Sequence, residues 1–115
     1  MGIREDVQAV IDGVQAGKML ETFDRWYADD VEMSENGANA CVGKAANRRR
    51  EEAFLASVAE WHGAQVHTVV ADADHAAIEW TLEFTPKGGA RLALRQVGLQ
   101  TWRNGKIVRE VFHHG

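Results

Sequence analysis

The sequence predicts an α+β domain, with helices concentrated in its first half and a run of long strands in its second half. Three helical patterns surround one short strand pattern, and four strand patterns with turn signals between them then follow. Helices that are segregated from an antiparallel sheet are typical of α+β folds. A chain of 115 residues is long enough for one domain with one hydrophobic core, which we expect to span residues 1–115.

The helices are predicted from apolar residues that recur every three or four positions. The first spans residues 3–16, and its apolar face consists of Val7, Val10, Ile11 and Val14. The second spans residues 18–28, and its apolar face consists of Met19, Leu20, Phe23, Trp26 and Tyr27. Because the joint between them is short, these two helices are expected to pack together. The third spans residues 44–61, with an inner face of Ala46, Phe54, Leu55, Val58 and Trp61.

The outer face of the third predicted helix is strongly charged. It carries Arg48, Arg49, Arg50, Glu51 and Glu52. A solvated surface with local arginine–glutamate pairs explains this run most simply. An anion-binding site is the alternative.

The strands are predicted over residues 31–35, 65–71, 75–85, 90–102 and 106–114. The third of these is the clearest, because its apolar residues alternate strictly with more polar ones. They are Ala76, Ile78, Trp80, Leu82 and Phe84. Asn104 and Gly105 predict a tight two-residue hairpin between the last two strands, whereas residues 36–39 have the composition of a polar loop.

Composition and charge exclude several kinds of partner and compartment. The net charge is −4 and no basic patch is dense, so no nucleic-acid partner is expected. A single cysteine, Cys41, excludes an internal disulfide and is typical of a reducing compartment. The N-terminal residues lack a secretory apolar core, and no apolar run has the length of a membrane span. We therefore expect a cytoplasmic protein with no membrane association.

Glu35 is the first candidate catalytic residue. Alternation along residues 31–35 places it on the same face as Val31 and Met33. Burial on that apolar face would raise the pKa of its carboxyl group, as a general base that works near neutral pH requires. The alternative is that the strand ends at Glu35 and leaves the side chain in solvent.

Several segments together resemble one known family. They are Trp26-Tyr27-Ala28-Asp29-Asp30-Val31, Gly43-Lys44-Ala45, Ile78-Glu79-Trp80-Thr81 and Gly105-Lys106-Ile107-Val108-Arg109-Glu110. In order and spacing, the chain resembles the SnoaL-like branch of the nuclear-transport-factor-2-like superfamily. This resemblance implies a cystatin-like α+β roll, a cone in which a curved, mostly antiparallel sheet wraps around the helices and a pocket opens at the wide end. Members include polyketide cyclases, a ketosteroid isomerase, dehydratases, an epoxide hydrolase and non-catalytic binding modules, so the chemistry stays open.

The isomerase branch of the family allows a comparison of individual positions. Glu35 falls on the general-base position, and Tyr27 falls on a tyrosine that supports the pocket. A protonated pocket acid of that branch falls on Gly98, and its first-helix tyrosine falls near Val10. The resemblance therefore argues against steroid isomerase activity. It also weakens a cyclase assignment, because many cyclases of the family carry an acid at the Gly98 position.

The family register places a further group of side chains in the pocket. Polar ligand contacts are expected from Gln96, Gln100 and Glu110, because amide and carboxyl groups can bind a carbonyl or hydroxyl group. Apolar walls are expected from Met33, Trp61, Trp80 and Phe112. If the register is shifted by one residue, the glutamines face outward and the apolar side chains belong to the ordinary core.

The histidines do not suggest a metal site. No two of the five histidines are spaced as metal ligands on a helix, so no metal is expected. They are His62, His67, His75, His113 and His114. His114 is a candidate proton-transfer partner for Glu35, because imidazole titrates near neutral pH. The alternative is a frayed terminal residue.

Two functions remain open from the sequence. The first is a cofactor-independent isomerase, cyclase or dehydratase that uses Glu35 as a general base on a hydrophobic, oxygenated cyclic molecule. Such chemistry requires a base and hydrogen-bond donors, so no cofactor is expected. The second is a ligand-binding or partner-binding module with no enzymatic activity.

A homodimer through the outer face of the sheet is also expected. If Gln96 and Gln100 line the pocket, then Val97, Leu99 and Thr101 face outward. An apolar outer patch favours pairing with its own copy across a two-fold axis. Members of the resembled family commonly pair in this way.

Overall fold

The computed structural model describes residues 2–115, which form three α-helices and six β-strands. The helices are α1 (Arg4–Gln15), α2 (Met19–Trp26) and α3 (Lys44–Ala56). The strands are β1 (Tyr27–Glu35), β2 (Ala38–Val42), β3 (Val58–Ala71), β4 (His75–Pro86), β5 (Leu92–Arg103) and β6 (Lys106–His113). They form one sheet in the order β2-β1-β6-β5-β4-β3, in which only the β1–β6 pair is parallel.

The predicted α+β class is confirmed, and the hydrophobic core lies between the helices and the inner face of the sheet. The inward residues of β4 are all buried, as their alternation predicted: Ala76, Ile78, Trp80, Leu82 and Phe84. On the opposite side, α1 contributes Val7, Val10 and Ile11 to the same core. No helix within residues 2–115 is both long and apolar enough to cross a membrane.

The third helix ends earlier than the sequence predicted, at Ala56. The Ser57 hydroxyl donates a hydrogen bond to the Phe54 carbonyl at 2.6 Å, and β3 begins at Val58. Trp61 therefore lies in a strand, opposite Phe84 of β4. Gly63, two residues beyond the end of the predicted helix, has φ 142° and lies at a bulge of β3. The apolar spacing fitted a longer helix, but pairing along the length of β4 stabilises the strand instead.

The segment predicted as a polar loop, residues 36–39, is a tight turn followed by the first residues of strand β2. Asn36 and Gly37 have φ 52° and 76°, which is the same pattern as 53° and 75° at Asn104 and Gly105. Positive φ at both central residues is typical of the tight turns that join antiparallel strands. The turn at residues 36–37 therefore joins β1 to β2, which forms the edge of the sheet beside β1.

Candidate functional site

A cavity of about 330 Å³ lies between the helices and the inner face of the sheet. Its apolar walls are formed by Val10, Val14, Met19, Met33, Phe54, Trp80, Leu82, Leu94 and Phe112. Its polar lining consists of Tyr27, Glu35, Asn47, Arg50, Glu51, Gln96, Gln100 and Glu110. A concave, mostly apolar site with a few converging polar groups is the usual form of a small-molecule site.

The structure brings most of the predicted site residues to this cavity. Those that line it are Tyr27, Met33, Glu35, Trp80, Gln96, Gln100, Glu110 and Phe112. Trp61 does not, because on β3 its ring stacks against Phe84 with 6.3 Å between ring centroids. His114 lies beside Glu35 and is not part of the lining. These placements are structural, and the roles of the residues in binding or catalysis stay predictions.

Glu35 lines the cavity but is not the buried carboxylate that strand alternation suggested. Its side chain is 48% exposed, and Nε2 of His114 donates a hydrogen bond to Oε1 at 2.8 Å. The backbone N–H of His114 donates to Oδ1 of Asn36 at 2.9 Å, which fixes His114 against the β1–β2 turn. His114 is therefore held in place rather than frayed, and it orients the Glu35 carboxylate.

Glu110 is the buried carboxyl group of the site. It lies on β6, it is 2% exposed, and it accepts a hydrogen bond at Oε2 from Nε2 of Gln100 at 3.0 Å. Its Oε1 is hydrogen-bonded to the Tyr27 hydroxyl. Burial raises the pKa of Glu110 to about 7, and the negative charges of Glu51 and Glu35 act in the same direction, against the two hydrogen bonds. A substantial fraction of Glu110 is therefore protonated at neutral pH.

Gly98 makes room for this carboxyl group. A Cβ atom at Gly98 would lie 3.1 Å from Oε2 of Glu110 and 3.6 Å from Cε1 of Phe112. The acid that the family comparison placed at position 98 is absent, and the side chain of Glu110 reaches into that space from the neighbouring strand. The family resemblance placed Glu110 in the pocket, but the strand register of the structure was needed to relate it to Gly98.

Two charged residues of α3, Arg50 and Glu51, also line the cavity. Glu51 is half-buried, which corrects its assignment to a solvated outer face, whereas Arg50 is exposed, as that assignment predicted. Burial raises the pKa of Glu51 to about 6, Arg50 acts to lower it, and the charge of Glu35 acts to raise it. Asn47 and Phe54 share their face, and the spacing 47, 50, 51 and 54 is that of one side of a helix. This spacing was the available signal, which the charges of residues 50 and 51 obscured.

A cluster of possible metal ligands lies outside the cavity. It consists of Asp72 and Asp74 in the turn between β3 and β4 and His75 at the start of β4, all exposed. Oδ1 of Asp72 accepts the backbone N–H groups of Asp74 at 3.0 Å and His75 at 2.8 Å. An aspartate that bonds the backbone two or three residues ahead stabilises a turn, which accounts for the cluster.

The fold resembles that of several solved structures. A candidate SnoaL-like polyketide cyclase from Mesorhizobium loti is 28% identical, with a TM-score of 0.87 over 99% of this chain and 100% of that chain. A protein of unknown function with a cystatin-like fold from Xanthomonas campestris is 18% identical, with a TM-score of 0.83 over 100% and 92% of the two chains. A protein with a ketosteroid isomerase-like fold from Catenulispora acidiphila, in complex with trimethylamine, is 15% identical, with a TM-score of 0.77 over 92% and 85%.

No curated protein matches the chain. The family described as the SnoaL-like domain matches residues 7–110, which is most of the sequence. The order of segments that suggested this resemblance, from Trp26 to Glu110, falls within that range, and the fold agrees with it. The chain belongs to the SnoaL-like domain family.

Proposed function

We propose that the cavity binds a small hydrophobic, oxygenated cyclic molecule and that Glu35 shifts a proton on it as a general base. The observation that carries this proposal is the contrast between two of the three carboxyl groups that line the mostly apolar cavity. Glu35 is exposed and held by His114, whereas Glu110 is buried and has a pKa near neutrality. Carboxyl groups in such different environments are suited to different roles in acid–base chemistry.

Proton transfer from a carbon next to a carbonyl group needs a base on one side and hydrogen-bond donors at the oxygen. Glu35 is the base in this proposal, and the hydrogen bond from His114 orients its carboxylate. Gln96 and the Tyr27–Glu110 pair offer donors where negative charge would develop on the oxygen. The apolar walls around Trp80 and Phe112 suit a ring system, and no step requires a cofactor.

The family supports this class of reaction. The Mesorhizobium loti neighbour is described as a candidate polyketide cyclase, and it covers almost the full length of this chain at 28% identity. An isomerase or cyclase acting on a cyclic carbonyl compound is therefore the reaction that best agrees with both the family and the cavity.

A binding module without catalysis is the second candidate. It is favoured by the exposure of Glu35 and by the absence of an acid at Gly98 and of a tyrosine at Val10. The open cavity with Glu35 and Gln100 in its lining favours the first candidate instead, because a module that has lost its chemistry is expected to have a filled or shallow pocket.

A thermal-shift screen of cyclic ketones, lactones and phenols tests binding first. A ligand at about a hundred times its dissociation constant stabilises the folded state by about 2.7 kcal/mol. Glu35→Gln then tests the chemistry, because it keeps the shape of the side chain and removes the base. Glu32→Gln is the matched control, since Glu32 lies on the same strand but outside the cavity lining. Turnover that survives Glu35→Gln unchanged would contradict the mechanism.

A further inference from the structure

A chain of hydrogen bonds connects four buried side chains behind the cavity. Nε1 of Trp102 donates to Oε1 of Gln100 at 3.0 Å, and Nε2 of Gln100 donates to Oε2 of Glu110 at 3.0 Å. The other carboxyl oxygen of Glu110, Oε1, is bonded to the Tyr27 hydroxyl. All four residues are 8% exposed or less. Tyr27, Gln100 and Glu110 also line the cavity, whereas Trp102 does not.

The direction of this chain follows from what each group can donate. An indole N–H can only donate, so the carbonyl end of the Gln100 amide must face Trp102. The NH₂ end of the same amide must then face Glu110, and an N–H group cannot accept a proton. Oε2 of Glu110 is therefore always an acceptor. When Glu110 is neutral, its proton lies on Oε1, the oxygen that faces Tyr27.

The position of this proton decides what the Tyr27 hydroxyl can do. With a proton on Oε1, Glu110 donates to the oxygen of Tyr27, and the hydrogen of Tyr27 is released from that bond. Without the proton, Tyr27 must donate to the carboxylate. We propose that Trp102, acting through Gln100, positions the proton of Glu110 so that Tyr27 becomes the hydrogen-bond donor to an oxygen of the bound ligand. This inference rests on the proposed function only in taking the cavity as the binding site, and it does not depend on Glu35.

Burial of Glu110, and to a smaller extent the negative charges of Glu51 and Glu35, raise its pKa and make this arrangement sensitive to pH near neutrality. Tyr27 and Glu35 face it from β1, and Arg50 and Glu51 line the cavity from α3. The lining residues contributed by α1, β4 and β5 are uncharged, and so is Met19 near the start of α2. Burial and the charge of Glu110 raise the pKa of Tyr27 well above its usual value, so that its hydroxyl keeps its hydrogen. Among the four hydrogen-bonded side chains, Glu110 is thus the group that titrates, with a pKa of about 7.

The test compares the bicyclic ketone indanone with the hydrocarbon indane, which has the same rings and no oxygen. Neither compound titrates, so any pH dependence belongs to the protein. The wild type is titrated by NMR at about pH 5.5 and about pH 8.5, on either side of the Glu110 pKa. The affinity for indanone should be about tenfold lower at the higher pH, which corresponds to the loss of one hydrogen bond. Indane affinity should stay constant. Equal behaviour of the two compounds would overturn the proposal.

Two substitutions should abolish this pH dependence. One should leave the affinity for indanone high at both pH values, and the other should leave it low at both. In Glu110→Gln, the new amide can accept from Gln100 and donate to Tyr27, as neutral Glu110 does, so indanone should bind at the low-pH affinity under both conditions. Tyr27→Phe removes the donor, so indanone should bind about tenfold more weakly under both conditions, with indane unaffected. If Glu110→Gln bound indanone as weakly as Tyr27→Phe does, the proposal would be wrong.

Trp102→Phe tests the positioning role. Without the indole N–H, the Gln100 amide can turn, accept the Glu110 proton at Oε2, and leave Tyr27 donating to Oε1. Indanone should then lose its advantage over indane at low pH, while the NMR signal of the Glu110 carboxyl group still titrates. Trp26→Phe is the matched control, because Trp26 touches the Trp102 ring at 5.9 Å between centroids but lies outside the chain. If Trp102→Phe preferred indanone over indane at low pH as strongly as the wild type does, Trp102 would not position the proton.

Glu35→Gln separates this inference from the proposed catalysis. That variant should keep the preference for indanone over indane and its loss at high pH, whatever happens to turnover. A loss of turnover with the binding preference intact supports both proposals. If the pH-dependent preference also disappeared in Glu35→Gln, the assignment of the donor to Tyr27 and Glu110 would be wrong.

Discussion

Glu35 and Glu110 line one cavity from adjacent parallel strands, yet Glu35 is exposed and Glu110 is buried. In the pairing of β1 with β6, Met33 lies opposite Glu110 and Glu35 lies opposite Phe112, which places both carboxyl groups on the inner face. The charge of Glu35 helps to raise the pKa of Glu110, although burial is the larger cause. One side of the cavity therefore carries a negative charge at neutral pH while the other side can hold a proton.

The first prediction is that stability falls as pH rises toward 7. Burial raises the pKa of Glu110 from 4.5 to about 7, so the folded state keeps a proton that the unfolded chain has already released between these values. The free energy of unfolding should therefore be largest near pH 4.5, decrease by about 3 kcal/mol through this range, and level off above it. Urea denaturation at a series of pH values measures it.

Glu110→Gln should remove most of this dependence, because the amide cannot ionise. A smaller slope from Glu51, whose pKa burial raises to about 6, should remain. Glu21→Gln, at an exposed position of α2, should keep the wild-type slope. An unchanged slope in Glu110→Gln would show that Glu110 is not the titrating group.

A second prediction concerns the space left by Gly98. Alanine usually stabilises a strand relative to glycine, because it restricts the unfolded chain. Here a Cβ atom would lie 3.1 Å from Oε2 of Glu110, which Gln100 and Tyr27 hold in place. Gly98→Ala should therefore lower the free energy of unfolding by about 1–2 kcal/mol.

A double-mutant cycle tests the cause of that loss. In a Glu110→Ala background the carboxyl group is gone, and Gly98→Ala should become neutral or stabilising. If Gly98→Ala cost the same free energy in both backgrounds, the contact with Glu110 would not be its origin.

The inner face of the sheet could be predicted from the sequence because alternation fixes which residues share a face. The alternating residues from Ala76 to Phe84 followed this rule. The same reasoning placed Gln96 and Gln100 on the face of their strand that Leu99 does not share. Strand β2 was missed although Asn36-Gly37 has the same hairpin signal as Asn104-Gly105. Its residues Ala38–Val42 are mostly exposed and lack an alternating pattern, since β2 is an edge strand that depends on pairing with β1.

The parts of the site that the sequence analysis did not predict depend mainly on tertiary contacts. Glu51 was assigned to solvent because of its charge, but it lines the cavity and is half-buried, whereas Arg50 lines the cavity and stays exposed. Trp61 fitted a helical stripe, but pairing of β3 with β4 places it against Phe84. Alternation left two environments open for Glu35, a buried one and a solvated strand end. Its position at the end of β1 leaves it exposed, in agreement with the second, and Glu110 is the buried acid.

A third prediction concerns Asn47, which ties β1 and β2 to the start of α3. Its Nδ2 group lies 2.9 Å from the carbonyl oxygens of Cys41 and Gly43 and 3.3 Å from that of Val31, and the residue is 1% exposed. Asn47→Ala leaves these buried carbonyls without that donor and should cost about 2–3 kcal/mol of unfolding free energy. Asn47→Asp should cost more, because it presents a negative charge to the same carbonyls. The reverse order in urea denaturation would contradict this account.

A fourth prediction is the homodimer. An apolar stripe crosses the outer face in register, formed by Val70, Ala77, Leu99 and Val111. Val70 is 61% exposed and Leu99 is 41% exposed. On the same face lie the Arg95–Glu79 pair at 2.9 Å and the Arg109–Glu32 pair at 3.7 Å, so the face carries both signs of charge.

We propose that two copies pair through this outer face, because a surface with an apolar stripe and both charges can complement itself across a two-fold axis. Sedimentation at micromolar concentration should give twice the chain mass of 12.7 kDa. Leu99→Glu should shift the protein to monomer, whereas Val42→Glu, at an exposed position of edge strand β2, should not. A wild-type monomer would contradict the dimer and leave the cavity assignments unaffected.

The measurement that tests the central claim most directly is hydrogen–deuterium exchange at the carbon next to the carbonyl group of indanone, followed by proton NMR in heavy water. A general base in the cavity should remove that proton, so the wild type should accelerate the exchange, and Glu35→Gln should reduce it by about 100-fold or more. Glu32→Gln should exchange at the wild-type rate. Equal exchange rates for the wild type and Glu35→Gln, with indanone bound to both, would contradict the assignment of Glu35 as the base.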